Sequence, residues 1–252
     1  MVSMRYGDKV VTDFEQLVKL LPPDAVASPL RSTVPLVDFW RTPESRLAQL
    51  SAAIGVTLLP PIALSFEYPV PVTRGRGKPS FTDLMIVASS AVVAIEAKFT
   101  EPPYETVGTW LRDPPQVNRS EVLEGWLDLI RGASGTSLRT ADVMDLPYQL
   151  IHRTASVCSV SRPVRAVVYQ VFGEGPFDYY VNSLSDLWRR FGRMAAIGFH
   201  VLGCPFSSLQ THEDLVKRWK QGDRHLGEAV RDALLTGSLF SFGEPTSQSV
   251  MR

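Results

Sequence analysis

Residues 65–100 read SFEYPVPVTRGRGKPSFTDLMIVASSAVVAIEAKFT. The stretch scans as strand, basic turn, strand, short turn, strand. FTDLMIVAS and AVVAIEAKF are rich in β-branched and apolar residues, and Ser89-Ser90 between them is a hairpin-length connection. Side chains alternate across a strand, so residues two apart share a face. Val93, Ile95, Ala97 and Phe99 therefore fall on one face, as a core requires, and Ala94, Glu96 and Lys98 fall on the other. Glu96 and Lys98 then stand side by side, roughly 6–7 Å apart along the strand. Asp83 opens the preceding strand, toward the same end of the hairpin. Pairing brings its carboxylate near Glu96. Charged side chains are rarely buried unless paired or functional, and here two carboxylates and a lysine converge at one end of an apolar sheet.

Such a trio suits phosphoryl chemistry. Two carboxylates are ligands for Mg²⁺, a hard cation that takes oxygen donors and keeps several waters. The ion lowers the pKa of a bound water and neutralises charge on a phosphoryl oxygen, and a lysine beside it orients the water or stabilises the charge that builds at phosphorus. Asp83, a spacer of about a dozen residues and then Glu96-Ala97-Lys98 resembles the PD-(D/E)XK nuclease superfamily. The family's proline is not adjacent to the aspartate: Pro79 lies upstream and Thr82 holds the expected place.

The resemblance implies a restriction-endonuclease-like fold and a metal site in which Asp83 and Glu96 bind Mg²⁺ (or Mn²⁺ in its place) with the carbonyl of Ala97, while Lys98 assists the attacking water. It also implies two helical contributions. Members often carry an acidic residue on the helix before the first core strand, and Glu44 is the candidate here; a glutamate in a first helical turn also simply favours the helix dipole. Members often place a Gln, Lys or Arg from a later helix against the site. In LPYQLIHRTASVCS, Gln149, Arg153 and Ser156 form a polar stripe with His152 at its edge, opposite Tyr148, Ile151, Ala155 and Cys158. Gln149 and Arg153 would touch the water or the scissile phosphate; otherwise the stripe is a solvent face, the expectation for His152.

Between the first two strands lies Thr73-Arg74-Gly75-Arg76-Gly77-Lys78-Pro79, a basic loop expected to be flexible. Arg74, Arg76 and Lys78 either hold phosphates, with the glycines allowing close approach, or are ordinary charges on a solvated turn. Asn118 is expected to start a helix, with Glu121 at capping-box spacing. Arg189, Arg190 and Arg193 cluster at the end of another helix, to touch DNA or to favour the helix C-terminus.

The 252 residues, 44% hydrophobic and of zero net charge, suffice for one sizeable α/β core and argue against a protein that coats nucleic acid non-specifically. No apolar run approaches the ~20 residues of a membrane span. The N-terminus has no signal-peptide pattern, and Cys158 and Cys204 have no metal-ligand spacing, so a cytoplasmic location is expected. Residues 1–32 are read as a helical lead-in packed on the core, 33–240 as the nuclease-like domain and 241–252 as a disordered tail. The order helix, three-strand meander, helices, strand, helix, strand gives an α/β sandwich, helices flanking a central mixed sheet. The functional expectation is a Mg²⁺-dependent DNA endonuclease, working as a homodimer because one site cuts one strand, in restriction or another defence role. The alternatives are an inert nuclease-fold module that binds DNA or protein, and an RNase or ligand-activated nuclease.

Overall fold

A computed structural model describes residues 2–112, 117–191 and 197–250. In chain order the elements are β1 (Val2–Tyr6), β2 (Lys9–Val11), α1 (Phe14–Leu20), α2 (Thr33–Phe39), α3 (Pro43–Ile54), β3 (Ile62–Val70), β4 (Ser80–Val87), β5 (Ala91–Lys98), α4 (Val107–Arg112), α5 (Val117–Ser134), α6 (Tyr148–Cys158), β6 (Val164–Phe172), α7 (Phe177–Arg190), β7 (Gly198–Cys204), β8 (Phe206–Ser208), α8 (Gln210–Lys220), α9 (Gly227–Thr236), β9 (Phe240–Phe242) and β10 (Thr246–Ser249).

Among the described residues the main sheet has eight strands in the order β10-β7-β6-β5-β4-β3-β1-β2. It is mixed: β5 is antiparallel to β4 and parallel to β6, which is parallel to β7. The expected meander is present, with β3 antiparallel to β4. Every residue of β5 is buried, and β6 is buried from Ala166 onward, because helices cover both faces and leave no room for hydrophobic-polar alternation. On one face Val93, Ile95 and Ala97 pack with α1, α2, α3, α8 and α9. On the other, Val92 and Ala94 pack with α5, α6 and α7. The molecule is thus an α/β structure with a large mixed sheet between two helical layers.

Both ends of the chain differ from expectation. Residues 1–32 are not only helical: α1 forms as read, capped by Asp13 whose Oδ1 accepts from the Gln16 N–H at 2.8 Å, but β1 precedes it and runs parallel to β3 in the main sheet. The tail read as disordered carries β9, which pairs with β8, and β10, which pairs with β7 at the sheet edge. These are short, half-exposed strands. β10, TSQS, has no apolar face and is held by its pairing with β7, so hydropathy patterning does not mark it, whereas Phe240 and Phe242 of β9 pack on the core. Among the described residues no helix is long and apolar enough to cross a membrane.

Candidate active site

The site stands on the α5–α6–α7 face, at the C-terminal end of β5. Leu84 pairs with Ile95, so the next register position sets Asp83 beside Glu96. Asp83 Oδ2 accepts a hydrogen bond from the Ala97 N–H at 2.8 Å, tying the end of β4 to the backbone of the EAK segment. Glu96 is 3% and Lys98 6% exposed, and Lys98 Nζ lies 2.9 Å from Glu96 Oε1.

Helix α6 completes the arrangement. Gln149 Nε2 donates to Glu96 Oε1 at 2.6 Å. Arg153 Nε donates to Glu96 Oε2, and another of its nitrogens lies 3.8 Å from Asp83 Oδ1. The polar stripe of α6 is therefore not a solvent face: Gln149, His152, Arg153 and Ser156 are all buried. His152 Nδ1 is 2.9 Å from Ser80 Oγ, and Arg153 donates to the same hydroxyl at 3.2 Å. Burial, then the nearby Arg153 and Lys98 charges, holds the His152 pKa well below 6.5. Arg153, which can only donate, lies 3.3 Å from Nδ1, so Nδ1 is the acceptor and, in the neutral ring that burial favours, the hydrogen sits on Nε2.

A third carboxylate joins the group from an unexpected place. Phe66 pairs with Leu84 and Tyr68 with Thr82, which sets Glu67 across from Asp83. Glu67 has φ +48°, a left-handed conformation that costs a non-glycine residue on the order of 1–3 kcal/mol and persists only where the surroundings impose it. Its effect is a change of face. Phe66 packs with the α1–α3 layer, whereas Tyr68 and Val70 pack with the α5–α7 layer. On β4, Leu84 joins the first layer while Thr82 donates to Ser156 on α6 at 3.1 Å. The twist at Glu67 and Asp83 thus turns Ser80 and Thr82 toward α6 and builds the network around Arg153.

Electrostatics follow from three acids crowding two cations. Burial, then the Glu96 charge, pushes the Asp83 carboxyl well above the usual carboxylate range, although its side chain is 23% exposed. Burial also raises Glu67, with Arg153 opposing and Glu96 reinforcing. For Glu96 burial acts upward, but Arg153 and Lys98 outweigh it and the net shift is downward. Glu96 is the ionised partner of the two cations, and Asp83 carries the strain of the like charges.

Glu44 is not brought to this site. Helix α3 buries Leu47, Leu50 and Ile54 in the layer on the other face of the sheet, and Glu44 is exposed there. Glu67 supplies the additional carboxylate instead. The signal for it was in the sequence, a lone acid between Phe66 and Tyr68 in an apolar strand, the same kind of exception that marks Asp83.

The basic loop is pinned rather than flexible. Asn118 Oδ1 accepts from the Arg76 N–H at 2.6 Å and its Nδ2 donates to the Arg76 carbonyl at 2.7 Å; Asn118 lies within α5 and holds the loop instead of capping the helix. Thr73 Oγ1 donates to the Gly125 carbonyl at 3.2 Å. Contact is close enough to demand glycine on both sides: a Cβ on Gly125 would lie 2.7 Å from Thr73 Oγ1, and one on Gly75, whose φ is +73°, 2.9 Å from Val122 Cγ2. Arg74 is turned away to Asp128, 3.0 Å distant. Arg76 and Lys78, with Gln149, His152 and Arg153, line a cleft of about 460 Å³. Arg190 pairs with Asp145 and Arg189 with Asp186; Arg193 lies outside the described residues.

Among the described residues no three His, Cys, Asp or Glu side chains form a ready-made metal cage. The donor chemistry nevertheless fits a hard divalent cation, since Asp83, Glu96 and the Ala97 carbonyl offer only oxygen. The guanidinium of Arg153 lies against both carboxylates and supplies the positive charge they require.

The chain belongs to the family described as domain of unknown function (DUF6946), whose model matches residues 10–223. No curated protein and no solved structure matches it.

Proposed function

We propose that this member of the family is a Mg²⁺-dependent phosphodiesterase with a restriction-endonuclease-like fold, an endonuclease acting on DNA. The observation that supports it is the convergence of Asp83, Glu96 and Lys98 from adjacent strands beside a cleft lined with basic side chains. A buried ion pair alone is ordinary. Like-charged acids held together next to an open, cationic wall are a costly arrangement whose return lies in chemistry.

In this reading Asp83, Glu96 and the Ala97 carbonyl hold Mg²⁺, or Mn²⁺ in its place. Held there, the ion would supply an acidified water and neutralise phosphoryl charge. Lys98 would orient the attacking water and stabilise charge developing at phosphorus. Gln149 fixes the Glu96 carboxylate by its 2.6 Å hydrogen bond. Arg153 transfers its guanidinium from the carboxylates to the scissile phosphate, and Arg76 and Lys78 position the strand through further phosphate oxygens. Glu67 raises the negative field at the site. One such site cuts one strand, so cleavage of a duplex takes two copies; a homodimer acting in the cytoplasm, in restriction or phage defence, is the setting we propose.

The experiment is cleavage of supercoiled plasmid and of RNA with Mg²⁺ or Mn²⁺. The wild-type protein nicks or linearises DNA, and Lys98→Ala abolishes this while circular dichroism is unchanged. Cleavage that survives the substitution removes the mechanism; cleavage of RNA alone changes the substrate.

A second reading has its own support. Both Glu96 oxygens already accept from Lys98, Gln149 and Arg153, as in a structural network of an inert nuclease-fold module that binds DNA or protein. Mn²⁺ titration separates the two: the enzyme binds the ion in a manner that Asp83→Asn removes, and the inert module does not bind it.

A further inference from the structure

Beyond the cations, the cleft beside the site has an aromatic wall that phosphodiester chemistry leaves unexplained. Trp110 and Tyr148 stack at 3.8 Å with planes 10° apart, and the Tyr148 hydroxyl accepts from Trp126 Nε1 at 3.0 Å, so this pair is locked. Two further rings on the lining, Phe81 and Tyr104, are each 44% exposed. Between them and Arg153 the lining also presents the neutral His152, whose Nε2–H has no hydrogen-bond partner among the described residues. Cations alone would suffice to track a backbone. Exposed ring faces in a concave site are instead complementary to the flat face of a base, and bases inside a duplex are stacked and do not offer that face. A volume of about 460 Å³ falls in the range of pockets that enclose a small ligand of nucleotide size.

We infer that this cleft takes an unpaired nucleotide adjoining the scissile phosphate: Phe81 and Tyr104 stack on the base, His152 Nε2 donates to its edge, and Arg76 and Lys78 hold its phosphate. The inference rests on the nuclease reading for the scissile phosphate, and it narrows that reading to single-stranded or locally unpaired nucleic acid. The chemistry recognised is a base on a phosphodiester chain, common to DNA and RNA; the 2′-hydroxyl is what distinguishes their sugars.

The test is binding without turnover. Full-length protein with chelator present is titrated into an oligonucleotide carrying 2-aminopurine, as single-stranded DNA, single-stranded RNA and blunt duplex. The expected result is quenching of the single-stranded probe, with affinity at least tenfold above that for the duplex. Phe81→Ala and Tyr104→Ala, both at exposed positions that leave the core intact, each weaken single-strand binding by roughly 5- to 100-fold, as loss of one base–aromatic stack does, and change duplex binding by less than twofold. The DNA and RNA arms identify the sugar. Equal affinity for duplex and single strand, or variants that bind like wild type, overturns the inference. A parallel cleavage assay with Mn²⁺ keeps the two readings apart. Binding of single strands without cleavage retains the pocket and removes the nuclease; cleavage of duplex by both variants at the wild-type rate does the reverse.

Discussion

Two buried carboxylates stand on opposite faces of the sheet and are held in different ways. Asp38, on α2, is 3% exposed. Its Oδ2 accepts from the backbone N–H groups of Leu239 and Phe240 at 2.8 and 3.0 Å, and its Oδ1 from Arg41 Nε at 3.1 Å. Arg41 continues to the carbonyls of Leu234 and Gly237 at 2.6 and 2.7 Å. This cluster is closed: it fastens α2 to the segment after α9, and backbone groups supply most of the partners. Glu96 is as deeply buried, but its partners are all side chains, further acids lie alongside, and two of the partners, Gln149 and Arg153, line a cleft. Burial of a charge therefore does not by itself distinguish a clasp from a reactive centre. What sets the Glu96 cluster apart is the neighbouring acids and the partners Gln149 and Arg153, which reach a cleft, and those are the features the proposed activity draws on.

Substitutions sharpen that contrast. The largest difference is in activity: Lys98→Ala lowers metal-dependent cleavage by more than about a hundredfold, whereas Asp38→Asn leaves the rate per folded molecule unchanged, as single-turnover assays on soluble protein would record. Stability comes next. Glu96→Ala strands two buried cations and costs about 3–5 kcal/mol. Asp38→Ala orphans two backbone donors and an arginine and costs about 2–4 kcal/mol. Urea titration measures both, and equal activity in the two variants would erase the distinction.

Asp83→Asn has a smaller effect on folding. An asparagine Oδ1 can still accept from the Ala97 N–H, and the raised pKa of Asp83 means that its charge opposes folding: stability falls as pH rises from the unfolded carboxylate value toward the higher folded one. At pH 7, with chelator present, the variant is as stable as wild type or slightly more so, but it loses any rise in Tm on adding Mn²⁺. The mildest effect lies far from the site. His200, on β7, is buried and lowered to about 4 from 6.5. It stays neutral in the fold while the unfolded chain takes up a proton, so stability declines as pH falls from 6.5 to about 4. His200→Leu flattens that part of the curve.

Much of this site was legible because two periodicities govern it. Alternation along β4 and β5 places Asp83 and Glu96 together, and helical spacing puts Gln149 and Arg153 on one stripe. What that stripe faces was not legible. An amphipathic pattern separates two sides of α6, but it does not tell water from a second, polar protein surface, so His152 read as exposed. Glu67 was missed because the period-two rule assumes a regular strand, and a left-handed residue breaks the rule at the very position that matters. Glu44 misled because helical periodicity gives a face and not a layer: α3 packs on the far side of the sheet. The edge strand β10 escaped because backbone pairing, which no residue pattern encodes, holds it; β1 was missed although Val2, Met4 and Tyr6 alternate onto the core.

The glycine contacts between residues 73–76 and α5 have a mechanical consequence. With no room for even a methyl group at that seam, residues 73–76 and α5 pack as one surface, and the part of the cleft wall that Arg76 forms is set by the position of α5. An alanine at Gly125 would act as a wedge against Thr73 and the Arg74 backbone, pushing the loop that carries Arg76 away from α5.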